Sequence, residues 1–241
     1  MRTSIIKLSI VLFLATIATS CNIDMLNRVE GDRNVISEKR QINEDFTKVK
    51  VSSGIDLYIK QGSKTSLTVE ADENLHDIII TKVVGGKLKI YTEKNIWRAK
   101  AKKVYLTVTS LEELTATSGS DVISESILKV NDLEVSTSSG ADLRIEVEAN
   151  YVVSSSSSGS DLRISGTANT HETSASSGSS IKAYSLESKE VTAKVSSGAD
   201  IGVFASESIN AKASSGGDIR YKGSPKKVFK KTSSGGGVSA R

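Results

Sequence analysis

The chain has 241 residues and a formal net charge of +4, with 37% hydrophobic and 5% aromatic side chains, one cysteine and one proline. Its 32 basic and 28 acidic residues nearly balance, which excludes bulk attraction to a polyanion, and a lone cysteine excludes an internal disulfide. So few aromatic residues would suit a disordered chain, but the apolar residues return in register and can therefore be buried together.

In chain order, the first element is a leader over residues 1–20. Arg2 and Lys7 precede the apolar run Leu8–Ile17 and the small residues Ala18, Thr19 and Ser20. The run is too short to anchor stably across a bilayer. Cys21 follows at once, and Ala-Thr-Ser-Cys resembles a bacterial lipobox, so Cys21 is expected to be lipidated and to become the N-terminus. Several acyl chains on one residue hold firmly, since each buried methylene contributes about 0.8 kcal/mol. Removal of Arg2 and Lys7 leaves 4 − 2 = +2 for the mature chain. Residues 21–40 are polar, lack a sustained period and read as a lipid-anchored tether, with the folded domain at 41–241.

Alternating stretches then predict strands at Thr47–Ile59, Ser66–Glu70, Lys87–Tyr91 and Lys103–Val108, broken by Gly85-Gly86. From Ser118 the sequence repeats a Ser-Gly-x-Asp unit. Its glycines stand at 119, 140, 159, 178, 198, 216 and 235, in steps of 21, 19, 19, 20, 18 and 19 residues. Such a step suits one coil of a parallel β-solenoid per repeat, with the variation absorbed in turns.

Alignment on the glycine separates two faces, because strand side chains alternate. Three residues after it stand Val122, Leu143, Leu162, Ile181, Ile201, Ile219 and Val238, all aliphatic. Odd offsets before it carry Leu133, Val152, His171, Val191 and Ile209, but also Glu112 and Lys230. Odd offsets therefore read as inward. Even offsets read as outward: Asp121, Asp142, Asp161, Asp200 and Asp218 form one column, and Arg144, Arg163, Lys182 and Arg220 a second beside it. Strands lie about 4.8 Å apart, so stacked carboxylates repel one another, and the basic column offsets this. The serine before the glycine and the small residue after it read as a tight corner, whose amides the aspartates are expected to cap.

No catalytic constellation is visible. His76 and His171 pair with no candidate nucleophile, no metal-ligand spacing occurs, and no cofactor or metal is expected. Gly-x-Asp-x-aliphatic resembles part of a calcium-binding roll, but that roll repeats every nine residues with paired glycines, so half of its ligands would be missing. Lysines cluster at 100, 102 and 103 and at 226, 227, 230 and 231. Without aromatic interleaving they do not indicate nucleic acid, and the second group is expected to guard an open strand edge. Trp97 is expected to plug the first end of the solenoid.

At Phe46–Gly62, which contains Gly54-Ile55-Asp56, then at Leu67–Leu75, Gly86–Tyr91 and the Ser-Gly-x-Asp coils, the chain resembles the auto-transporter adhesin, head GIN domain family (DUF2807) of exported Bacteroidetes proteins. The resemblance implies an all-β, single-stranded, right-handed parallel β-helix. It implies adhesion at the cell envelope and supplies no functional residues. The expectation is a non-enzymatic envelope lipoprotein at the outer membrane, joined to the membrane by its anchor, with a glycan, an envelope protein or a second copy as partner and no nucleic acid. A carbohydrate-active β-helix enzyme and a periplasmic accessory protein are the alternatives.

Overall fold

In the computed structural model, which describes residues 28–241, the chain is all-β, with 66% of residues in strands; the leader and Cys21 lie outside the described residues. The first end is built from β1 (Arg28–Glu30), β2 (Val35–Arg40), β3 (Lys48–Val51), β4 (Asp56–Gln61), β5 (Ser66–Asp72), a 3-10 turn (Glu73–Leu75), β6 (Ile79–Val84), β7 (Lys87–Thr92), β8 (Asn95–Arg98) and β9 (Lys102–Val108). Chain order is not stacking order here. β3 lies between β7 and β10 (Glu113–Thr117), parallel to both, and β4 lies between β9 and β11 (Asp121–Ser124).

The polar stretch read as a tether as far as Arg40 belongs to the fold from Arg28 onward. β2 pairs antiparallel with β5 from Val35↔Asp72 to Arg40↔Leu67, and β1 pairs parallel with β8. The guanidinium of Arg40 donates to the carbonyls of Ile79 and His76, the latter at 2.6 Å. β5 has β9 on one edge only, so its other edge needs backbone partners rather than apolar side chains. The side chains of β2 stay largely exposed, and it therefore carries no hydrophobic period.

Beyond β11 come β12 (Leu128–Lys129) and β13 (Asp132–Ser138), then four long strands that each follow most of a coil. These are β14 (Asp142–Ser156), β15 (Asp161–Ala175), β16 (Ser180–Val195) and β17 (Asp200–Ala213), followed by β18 (Asp218–Lys222), β19 (Lys227–Thr232) and β20 (Gly237–Ala240). All pair parallel, with bridges about 19 residues apart, giving a β-solenoid of about seven turns.

The inward columns are as the alignment predicts. Val122, Leu143, Leu162, Ile181, Ile201 and Ile219 are all buried, as are Leu133, Val152, His171, Val191 and Ile209. Truncating one such residue, for example Leu162→Ala, removes the packing of two neighbouring coils and costs about 2–5 kcal/mol. Four residues depart from the pattern. Glu112 is exposed and Leu111 is buried in its place, because the chain enters β10 from a loop; Val228 and Lys230 are exposed and Val238 is only half-buried because no further described coil covers β19 and β20. The interior also holds a polar band. Thr137, Ser156 and Ser160 bond to one another at 2.9–3.1 Å, and Ser154 lies between His171 and Thr173 at 2.9 and 2.8 Å.

Candidate functional site

Each corner is a two-residue turn with both central residues left-handed, Ser139 at φ 54° and Gly140 at φ 69° being typical. In a turn of this kind glycine takes the second position at no steric cost. The serine before the glycine points to solvent, and the residue after it (Ser120, Ala141, Ser160, Ser179, Ala199) is buried inside the bend. Only the second of the two is thus small because it is enclosed. The corners stack: the amide of each marker glycine donates to the serine carbonyl of the next coil at 3.0–3.2 Å, from Gly54 to Ser118 through Gly216 to Ser234. These amides, and those of the aspartates (Asp142 to Ser120, Asp161 to Ala141), are used by backbone carbonyls. The aspartates do not cap them.

The repeat begins one coil earlier than the glycine alignment placed it. Gly54 makes the first corner, and Asp56 stacks on Asp121, so the column runs Asp56, Asp121, Asp142, Asp161, Ser180, Asp200 and Asp218. Beside it runs Tyr105, Tyr58, Ile123, Arg144, Arg163, Lys182, Gly202 and Arg220. The two tyrosine rings stack with centroids 5.1 Å apart, and Ile123 is 41% exposed next to them. All nine residues read from the sequence as a charged ladder share this one face. The first coils carry aromatic and aliphatic groups where later coils carry bases, a strip that the alignment missed because it started at Ser118.

Compensation between the columns is uneven. Lys182 lies 3.5 Å from Asp161, and Arg220 lies 3.4 Å from both Asp200 and Asp218. At the other end, burial raises the Asp121 carboxyl, and the Asp56 and Asp142 carboxylates on either side raise it further. Burial raises Asp56 as well, opposed by Lys102 and Lys103. Arg144, Arg163, Asp121, Asp142 and Asp161 border a shallow groove of about 270 Å³. Among the described residues no three His, Cys, Asp or Glu side chains converge as metal ligands would.

Neither histidine is placed for catalysis. His171 is fully buried; the single proton of Ser154 goes to Thr173, so Nε2 of His171 donates to Ser154 and Nδ1 is left without a partner. His76 is buried against Glu38, 3.2 Å from its carboxylate. Trp97 does not plug the first end: it is 53% exposed, with the Arg98 guanidinium 4.2 Å above its ring. At that end β2 covers the free edge of β5 and β6 pairs on β7, and Asp72, a fully buried carboxylate, accepts the amides of Arg33, Lys100 and Ala101 at 3.0–3.1 Å.

A second outward face was not visible as a unit in the lysine clusters. Four residues before the marker glycine the column reads Ser136, Ser155, Ser174, Lys194, Lys212 and Lys231 in register. The same glycine alignment contains it at that offset.

The family described as putative auto-transporter adhesin, head GIN domain, matches residues 45–225. Among solved structures, a putative adhesin from Bacteroides fragilis superposes with a TM-score of 0.83 at 22% identity, over 88% of this chain and 100% of that one. A putative lipid binding protein from Parabacteroides distasonis gives 0.74 at 22% identity, over 89% and 99%. A putative adhesin from Parabacteroides merdae gives 0.67 at 21%, over the same shares. Comparison with curated proteins returned no match. The solved structures establish the fold that these coils adopt, and the matched residues run from the first corner through β18: the chain belongs to the head GIN domain family of putative auto-transporter adhesins.

Proposed function

We propose that this protein is a non-enzymatic binding module held at the cell envelope by a lipid on Cys21. The observation that carries the reading is the face on which Tyr105, Tyr58 and Ile123 run into Arg144, Arg163 and Lys182 beside the aspartate column. Its side chains are set at the strand spacing of about 4.8 Å on a frame bonded from coil to coil, so the surface is flat and preorganised. Such a surface suits an extended partner, a glycan or a strand-rich envelope protein. The adhesin descriptions of the family and of two similar structures support it.

The test is a glycan panel screened for binding and for turnover with the full chain. Binding without turnover is expected, with loss of affinity in Tyr58→Ala and in the Arg144→Ala/Arg163→Ala pair. Bond cleavage abolished by Asp142→Asn or Asp161→Asn would place the protein among β-helix enzymes instead. Radiolabelled palmitate incorporated into the wild-type chain but not into Cys21→Ser would support the anchor.

A further inference from the structure

We infer that the stacked lysine column Lys194, Lys212 and Lys231 is a binding face for an anionic polysaccharide, a second site on the module proposed above and dependent on that reading. The lysines occupy equivalent positions on β16, β17 and β19 and pair in register, Lys194↔Lys212↔Lys231. All three are exposed, and none takes part in an ion pair among the described residues.

Like charges directly opposite on neighbouring strands destabilise a sheet. On the aspartate face the cost is offset at Asp161, Asp200 and Asp218 by Lys182 and Arg220. On the lysine face no carboxylate pairs with any of the three among the described residues. Protection of a strand edge would account for Lys231 on β19, which is exposed throughout, but Lys194 and Lys212 lie on strands paired on both sides, where there is no edge to guard. A repulsive column maintained over three coils is explained by an anionic ligand that supplies the missing charge.

The surroundings narrow the class. The lysines border a groove of about 490 Å³ lined by serine, lysine, alanine and valine alone, with no carboxylate. Half-buried Ser176, Ser196 and Ser214 form a hydroxyl column alongside it. Hydroxyls placed beside each ammonium match a polymer that carries hydroxyls and one negative charge per unit. Phe229, 56% exposed and two residues from Lys231 on the same side of β19, offers one ring face to a sugar; the base stacking expected of a nucleic-acid groove would need a series of them. The carboxylates nearest along the sheet, Glu172 and Glu190, line a neighbouring depression with Lys227 and bound the site on that side.

The experiment measures binding of the full chain to polygalacturonate, with dextran as the neutral control. The Lys194→Ala/Lys212→Ala/Lys231→Ala variant is expected to bind at least about tenfold more weakly, and wild-type binding to fall as salt rises. A Lys60→Ala/Lys64→Ala/Lys94→Ala variant of the same net charge is expected to bind as wild type. The ladder variant is also expected to melt no lower than wild type, because it loses repulsion and no contact. Equal loss in both triple variants would reduce the effect to net charge and overturn the assignment. So would loss only in Arg144→Ala/Arg163→Ala, which leaves the module reading intact, or ladder-dependent binding of phosphatidylglycerol vesicles or duplex DNA as tight as that of polygalacturonate. No polymer binding with other glycans still bound would sink the ladder alone; no binding of any glycan or envelope protein would sink both readings.

Discussion

His171 adds an acid-sensitive contribution from inside the coils, apart from that of the buried carboxylate Asp72 at the first end. Its column, Leu133, Val152, His171, Val191 and Ile209, is aliphatic except at this point. Burial lowers its pKa from 6.5 to about 4. Between those values the unfolded chain binds a proton that the folded chain refuses, so the contribution of the neutral His171 is complete above pH 6.5, falls as the pH drops and levels off below pH 4. The loss amounts to about 3 kcal/mol at most. His171→Val continues the column and leaves Ser154 bonded to Thr173; urea melts at pH 5 and pH 7.5 are expected to differ less for this variant than for wild type. Two glycines separate another pair of effects. Gly140, at φ 69°, faces open space, so Gly140→Ala carries only the left-handed penalty of about 1–2 kcal/mol. At Gly166, with φ 111°, an added Cβ would stand 1.9 Å from the carbonyl oxygen of Val147, and Gly166→Ala is expected to be the more damaging in thermal melts.

At the level of elements, the coils were legible and the closed end was not. One alignment on the marker glycine places inward Leu143, Leu162 and Ile201 and outward Asp142, Asp161 and Asp200, because a solenoid repeats its environment with its sequence. The end has no repeat to align. β2 is stabilised by backbone pairing that leaves no mark on side-chain pattern, and Asp72 looks like any surface carboxylate until the amides of Arg33, Lys100 and Ala101 converge on it. Trp97 lies in the same stretch without a repeat, whereas Glu112 is turned out because the chain enters β10 from a loop with Leu111 buried in its place. Burial pushes the Asp72 carboxyl up, but the amides of Lys100, Ala101 and Arg33 outweigh it and hold it below the usual carboxylate range. It therefore stabilises the fold above the unfolded carboxylate pKa, and that stability is lost as pH falls through the folded value. Asp72→Ala strands three amides and is expected to cost about 3 kcal/mol or more, with faster hydrogen exchange at Arg33, Lys100 and Ala101 than in the coils beyond β13.

For the whole molecule, the repeat makes length adjustable. Excising residues 160–178, from one marker glycine to the next, removes 178 − 159 = 19 residues and joins equivalent points of adjacent coils. The shortened chain is expected to fold with a modestly lower melting temperature, since each coil contacts only its neighbours. Excising 160–177 breaks the side-chain alternation at the join and is expected to unfold locally or aggregate.

The placement of β3 and β4 between strands that come later in the chain has a mechanical meaning. The first coil is clasped on one side by β7 and β9 and on the other by β10 and β11, so it cannot be drawn out until those neighbours have let go. The coils after β13 carry no such clasp. Tension applied between residues 28 and 241 should peel them away singly from the far end, in steps of about 19 residues or roughly 60 Å of extended chain. The clasped strands β3 and β4 should yield last and at once, so under the anchoring proposed above the first coil would be the last to give way.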